Sequence, residues 1–440
     1  KIASLHTQIL CYTDSMKYSN SILRSSLLIV IFFTIDSLVG QTTTSSPYSR
    51  YGIGNLNQQQ FNVNVGYGGA GIALRSERFA NIINPASLSS LKFIAFEVAA
   101  KTSLYGISSD GQSASSTNAF LNHLSLSMPI NDKWGLSFGL LPISSIGYKY
   151  SYFEENPIVN TLQYDYVGSG GLNEIYLANG IEVVKGLSLG FKGSFVFGAI
   201  EEEMKIFLLD QTNAFNTSDR SRNNISDVKF DFGAQYYKEL NDDYTATVGI
   251  TYGFGSDLNG SKTQLVRSFI GNPDQLERFL DTTNFIRNEK NNLELPSNIG
   301  LGFSLEKKEK WIAEINYTNS DWSNVTPIGN EGYADSQTLT GAMRFLPNKN
   351  AYADYFKLIT YSFGARYTNT YLEVNGQQLN EVGINFGLTL PFRKSISSVT
   401  IGAEALRRGK DKDGLLQEDF LNIHLGITFN DRWFIKRKYD

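Results

Sequence analysis

From about residue 90 onward the chain alternates apolar residues with small or polar ones, and a period of two restricts such a chain to β-strands. Tyr244, Ala246, Val248, Ile250, Tyr252 and Phe254 are apolar, while Thr245, Thr247, Gly249, Thr251 and Gly253 lie between them. Ile384, Phe386, Leu388 and Leu390 alternate with Asn385, Gly387 and Thr389. The pattern returns in Leu421, Ile423, Leu425, Ile427 and Phe429. Side chains on successive strand positions point to opposite faces, so each segment has one apolar and one polar face. Counting such segments over 91–430 gives about fourteen strands, centred near 97, 124, 139, 176, 193, 231, 249, 302, 315, 342, 362, 386, 402 and 425. Turns are expected at Asn131-Asp132, Asn241-Asp242-Asp243, Lys307-Lys308-Glu309-Lys310 and Pro391-Phe392-Arg393-Lys394. Longer polar stretches fall at 208–225, 256–295 and 409–417, with a short helix expected over Pro273–Leu280.

Two all-β folds accommodate this pattern. A soluble sandwich hides its apolar faces between two sheets but rarely strings so many strands up and down. A transmembrane antiparallel barrel turns them to lipid, with short turns at one rim and long loops at the other. Composition favours the barrel. Only 19% of the 440 residues are charged and 13% are aromatic, whereas about a quarter of a soluble chain is charged. Aromatic clusters such as Tyr148, Tyr150, Tyr152 and Phe153 suit a membrane-interface girdle. Lys and Arg number 39 against 43 acidic residues. With no long basic run, a nucleic-acid partner is not expected. One cysteine and three histidines give no basis for a disulfide scaffold, a metal site or another cofactor.

Lys17 and Arg24 precede the apolar stretch Leu27–Ile35, which Asp36 breaks before Ser37-Leu38-Val39-Gly40. That order reads as a secretory signal peptide with upstream residues over 1–40, cleaved after Gly40. Cys11 lies upstream of the apolar stretch, so the exported chain is expected to be cysteine-free and not a lipoprotein.

Residues 41–90 break the strand period. Gly66, Gly68, Gly69 and Gly71 match a GxGxxG pattern, but no βαβ unit follows, so a dinucleotide site is not expected. A compact glycine-rich segment ahead of a barrel reads instead as a hatch in the lumen, with a short helix over the ALRSERFANI run. The run GGAGIALRSERFANIINPASL, with Asn84-Pro85-Ala86, resembles the hatch of the outer-membrane long-chain fatty acid transporter family (FadL-like). The end of the chain, Trp433 to Lys438, is similar to tails of the Bacteroidetes type. The resemblance implies an all-β, fourteen-stranded transmembrane barrel with an N-terminal hatch or plug. It gives a hatch over 41–90, a barrel over 91–430 and a tail over 431–440. The polar stretch 41–60 and the residues after Phe429 depart from the family pattern.

Pro142 lies on the third strand, where a residue without an N–H must break a ladder. In the resembling family a kink in that strand forms a lateral opening, so Gly139, Pro142 and Gly147 are expected to mark one here. Arg75 and Arg78 are candidates to meet a ligand carboxylate, although a solvated face suits both. His123 and Ser125 share a polar face, an arrangement that can activate a hydroxyl, yet a lumenal polar ladder explains them better. His424 has no partner by spacing, and Asp411-Lys412-Asp413-Gly414 with Glu418 fails the calcium-loop pattern. No catalytic residue, metal or cofactor is expected. The resemblance implies passive uptake of a hydrophobic, fatty acid-like molecule through the outer membrane, in contact with its lipid. The alternative is a non-transporting interaction or shuttle component that binds partner proteins of a secretion machine.

Overall fold

The computed structural model describes residues 44–432, apart from 110, 159, 212–213, 274–276, 328–331, 349–353, 394 and 412–414. The leader expected over 1–40 and the motif at Trp433–Lys438 lie outside the described residues.

Fourteen antiparallel strands form a closed ring. They are β1 (Ile94–Ser109), β2 (Gln112–Asn131), β3 (Trp134–Pro142 continued by Ser144–Asn156), β4 (Asn160–Val184) and β5 (Leu187–Leu208). Then come β6 (Asn216–Glu239), β7 (Tyr244–Gly253), β8 (Asn298–Lys307), β9 (Trp311–Ser320) and β10 (Ser336–Phe345). The ring ends with β11 (Thr360–Val374), β12 (Gln377–Pro391), β13 (Ser398–Arg408) and β14 (Gln417–Asp431). Neighbours in sequence pair throughout, and β14 closes on β1 through registers such as Phe96 opposite Phe429. Each of the fourteen centres expected from the alternation falls within one of these strands.

Burial is inverted relative to a soluble protein. Ile384 and Leu425 on the outer face are 66% and 53% exposed, while Glu404 and Asn422 facing inward are 4% and 6% exposed. A sandwich would bury the first pair and expose the second, so the barrel is the fold. No helix among the described residues is long and apolar enough to cross a membrane; the strands cross it, and the chain is an outer-membrane protein. β7 to β10 have ten residues each, the length a tilted strand needs to span the hydrocarbon layer. Ile315, midway along β9, faces lipid. Arginine there is expected to lower stability by about 2–4 kcal/mol, read from urea titration of the protein folded into vesicles. A change near zero would place this face outside the bilayer.

The rims differ in height. Short turns join β2 to β3, β4 to β5, β6 to β7 and β8 to β9, which marks that rim as periplasmic. At the opposite rim β4, β5 and β6, with 25, 22 and 24 residues, rise well beyond the ten-residue strands. A hairpin of Gly260–Ile270 and Arg278–Lys290 extends this wall by pairing with the upper half of β6. The helix expected over Pro273–Leu280 is not formed at its described end, because Arg278–Leu280 opens the second hairpin strand. Much of the polar stretch 208–225 is likewise strand. Both faces of this wall meet water, so it lacks the apolar alternation that betrays a membrane strand.

Candidate functional site

Residues 44–90 lie inside the ring and touch its wall on most sides. Their lower part, 60–90, is held by glycines at inward-facing wall positions. A Cβ at Gly190 of β5 would sit 2.1 Å from the Ala86 amide nitrogen, and one at Gly135 of β3 would sit 2.1 Å from the Leu88 carbonyl oxygen. Gly180, Gly249, Gly364 and Gly387 meet backbone of this segment in the same way, while Gly233 and Gly426 make room for the Asn84 and Asn62 side chains. Backbone thus meets backbone around the lumen, which only residues without a side chain allow. Gly66 and Gly68 adopt φ of 74° and 63°, a left-handed path against β12 and β11 that L side chains rarely follow.

Asn84-Pro85-Ala86 has a readable physical role. The Asn84 side-chain oxygen accepts from the Ala86 amide at 3.1 Å, capping the 3-10 helix Pro85–Ser90. Pro85 opens that helix, where a missing N–H costs nothing. The Asn84 amide donates to the Ile72 carbonyl at 2.8 Å and to the Ala234 carbonyl of β6 at 3.1 Å. One side chain therefore caps a helix, closes a loop and ties both to the wall. Asn84→Ala is expected to lower stability by about 1–3 kcal/mol, measured by urea unfolding against the parent. The helix expected over the ALRSERFANI run is absent; the structure there is irregular. Side-chain bonds from the wall satisfy its backbone instead. Gln235 donates to the Leu74 carbonyl, Glu314 accepts from the Ala73 amide and Ser304 donates to the Ala73 carbonyl.

The upper part, 44–57, reaches the wall break at Pro142. The lower half of β3 pairs with β2 as far as Leu140 opposite Leu124. Above Ile143, β3 pairs with β4 but not with β2. Opposite, β4 passes through Gly170 and Gly171 with φ of 113° and 144°, and between the Pro142–Asn173 and Ile146–Gly170 pairs the extra residue lies on β3. The free edge of β3 is taken by the N-terminal segment. Asn55 and Leu56 pair with Ser145 and Ser144, the Asn57 amide donates to the Ile143 carbonyl at 2.8 Å, and Ser49 bonds both backbone groups of Gly147. Across the break, Asn122 and Asn118 of β2 bond Gln60 and Ser45. Of the three residues expected to mark the opening, Pro142 ends the paired half and Gly147 lies on the free edge. Gly139 does not belong to the break: it pairs with Ser125 on one side and Tyr176 on the other.

Charges in the upper lumen neutralise one another. Arg366 contacts Glu404 at 2.9 Å and Glu381 at 3.2 Å, while Arg408 contacts Glu381 at 2.7 Å and Glu418 at 3.2 Å. Ser46 of the N-terminal segment donates to Glu418 at 2.5 Å. A second group joins Lys192 and Lys229 to Glu174 and Asp231. The sequence reading missed both. Their signal was present, since these charges fall at inward positions of their strands, where a barrel lumen accepts charge and buried charges are paired. Beside the first group is a cavity of about 290 Å3, lined by Asn, Gln, Thr, Arg and Glu side chains with a few apolar ones.

The remaining candidates have definite places. Arg75 donates to Ser188, Gln235 and Ser89 and lies over the Tyr237 ring, so the wall already occupies it. Arg78 is exposed near the periplasmic rim, where its carbonyl accepts from Asn430. His123 lies 3.5 Å from Glu97 and Ser125 lies on the same inner face. Both His123 and Ser125 are buried at 1% exposure, which denies Ser125 access to lipid. His424 stacks near His123 at 6.3 Å between ring centres. No metal-holding group of His, Cys, Asp or Glu occurs among the described residues.

A family model described as BamG matches residues 22–440. The chain belongs to the BamG family. No curated protein matches its sequence significantly. The fold is similar to that of the Pseudomonas putida toluene transporter TodX, at 16% identity and a TM-score of 0.57, covering 80% of this chain and 93% of that one. It is also similar to the Ralstonia pickettii toluene transporter TbuX, at 13% identity and 0.56, covering 85% and 99%. A Pseudomonas aeruginosa FadL homologue matches at 13% and 0.53, covering 86% and 98%. At these identities the BamG-family chain shares their fold, and its function is read from its own residues.

Proposed function

We propose that this BamG-family barrel is a non-transporting component of an outer-membrane machine that binds partner proteins. The observation that carries this reading is the filled lumen. The segment 60–90 is pressed against wall glycines, 44–57 completes the broken wall, and the cavity beside the ion pairs mixes charged, amide and threonine side chains with apolar ones. A hydrophobic solute needs a continuous apolar lining, and here Arg366, Glu381 and Arg408 interrupt it. The tall, polar outer wall with its hairpin gives a partner a large water-facing surface. On this reading 41–90 is a fixed plug, and Asn84-Pro85-Ala86 is its fastening. Mild detergent extraction of native outer membranes tests it: the barrel is expected to migrate with other proteins in fixed stoichiometry. Migration as a lone barrel under every such condition overturns the reading.

The wall break favours a second reading, passive uptake of a hydrophobic, fatty acid-like molecule with exit between β2 and β3. Here Pro142 and Gly147 mark the gate and residues 44–57 close it. That path requires the N-terminal segment to leave the β3 edge. Arg78 is the candidate of the two arginines with an exposed side chain, yet it lies near the periplasmic rim, away from the upper cavity. The structural relatives that are toluene transporters lend this reading their fold. No catalysis is assigned under either reading.

A further inference from the structure

We propose that the upper edge of β3 binds an extended segment of a partner polypeptide by β-strand addition. The inference rests on the partner-binding reading and names where that partner docks. β3 pairs with β4 from Ile146 opposite Gly170 to Asn156 opposite Asn160 without a register shift. Both backbone groups of Gly147 face away from β4, where the Ser49 hydroxyl accepts from its N–H at 3.1 Å and donates to its carbonyl at 3.2 Å. Strand backbone alternates with a period of two, so Lys149, Ser151, Phe153 and Glu155 turn their N–H and C=O groups to that same side. No strand among the described residues takes them up. All four residues are exposed, Phe153 at 58%. Across the break, β2 from Gln112 to Thr117 pairs with β1 alone among the described residues, so the slot is open on that side too.

The edge already accepts a strand at its base, where Asn55 and Leu56 pair antiparallel with Ser145 and Ser144. Open edges normally carry bulges or prolines that discourage pairing. This stretch has neither, and its run of Tyr148, Tyr150, Tyr152 and Phe153 favours a strand. The hairpin strand Arg278–Lys290 gives the contrast: it pairs on one side only, and three register shifts interrupt its ladder. Arg50, from inside the ring, lies over the rings of Tyr150 and Tyr166, so the even positions of β3 face the lumen. Partner residues opposite Tyr150 and Tyr152 meet that aromatic face, and Tyr and Arg are residue types in which binding energy concentrates. Running antiparallel like Asn55–Leu56, the segment brings its N-terminal end beside Glu154 and Glu155 and its C-terminal end beside Lys149. A basic start and an acidic finish complement those charges. A second copy of the chain does not fit. Barrel strands tilt by about 35–45°, so two copies side by side in one membrane would cross their β3 edges at roughly twice that angle.

The test uses the full chain in detergent and a capped, fluorescent octapeptide of alternating threonine and valine with lysine first and glutamate last. Its anisotropy is expected to saturate, and the same peptide N-methylated at alternate residues is expected to bind roughly tenfold more weakly. The double substitution Ser151→Pro with Phe153→Pro removes N–H groups on the open side only. That variant is expected to keep its folded migration on unheated gels while its affinity for the probe falls roughly tenfold. In native extraction it is expected to lose the proteins that migrate with the parent. The proposal is overturned by a probe that does not bind, by equal binding of the N-methylated probe or of the variant, or by self-association of the parent through this edge. If the variant keeps the parent's partners, strand addition is wrong and the partner-binding reading stands. A parent that migrates alone sinks that reading itself.

Discussion

Replacing Gly190 with valine is expected to lower stability by on the order of 3 kcal/mol, the upper part of the range for overpacking, and to expose residues 60–90 to protease. The reason is geometric. Gly190 faces inward on β5, and its missing Cβ leaves the space occupied by the Ala86 amide and the Pro85 carbonyl carbon, at 2.1 and 2.3 Å from where that Cβ would be. Both obstacles are backbone, and Pro85 and Ala86 are pinned by Asn84, so neither can swing aside. Valine itself suits a strand, so the ring is expected to form while the plug is displaced. Gly341 of β10 provides the control, because a Cβ there meets nothing within 4 Å. Gly341→Val is expected to change stability by less than about 0.5 kcal/mol. Urea titration in vesicles and limited proteolysis read the two effects separately. Equal stability of the Gly190 and Gly341 variants would mean that the plug is not pressed on the wall.

Removing residues 44–57 is expected to have the other large effect, on exposure of the β3 edge as well as stability. The deletion takes away the partners of Ile143, Ser144, Ser145 and Gly147 on β3. It also withdraws Tyr48 and Ile53, buried at 3% and 1% exposure in the apolar cluster that includes Trp322 and Tyr371. Burial of two such side chains contributes about 3–6 kcal/mol, an upper value because the unfolded chain is already partly compact. With the segment gone, the interval between the upper halves of β2 and β3 has no occupant. A cysteine introduced at Ser145 is expected to react with a membrane-impermeant maleimide at least about tenfold faster in this variant than in the intact chain, because its edge loses a paired strand. An unchanged labelling rate, with the variant correctly folded, would show that other residues seal the break.

The fold was legible because bilayer and lumen impose opposite demands on alternate residues. Every membrane-crossing stretch records that contrast, as Ile384 beside Asn385 and Leu425 beside His424 illustrate. Where the contrast is missing, so was the reading. The upper half of β6 and the hairpin 260–290 stand in water on both faces, and their polar sequences resembled loops. Pro142 announced the wall break because a missing N–H is visible in sequence. What fills the break was not visible. Asn55 and Leu56 form a strand of two residues, too short to carry a period, and Ser49 acts through backbone groups that any sequence possesses. The Asn84 fastening was legible only as a motif, and its bonds to Ile72 and Ala234 required the fold. The helix expected around Arg75 failed for a related reason. Wall side chains satisfy that backbone, so helical hydrogen bonds are not needed.

The central claim is that the lumen is a fixed plug and not a path. Its most direct test is uptake of labelled long-chain fatty acids and monoaromatic hydrocarbons by cells with and without the gene, at matched outer-membrane integrity. The partner-binding account predicts equal initial rates for every compound. Faster uptake of any one of them in cells carrying the intact chain would contradict it and restore the lateral path past Pro142.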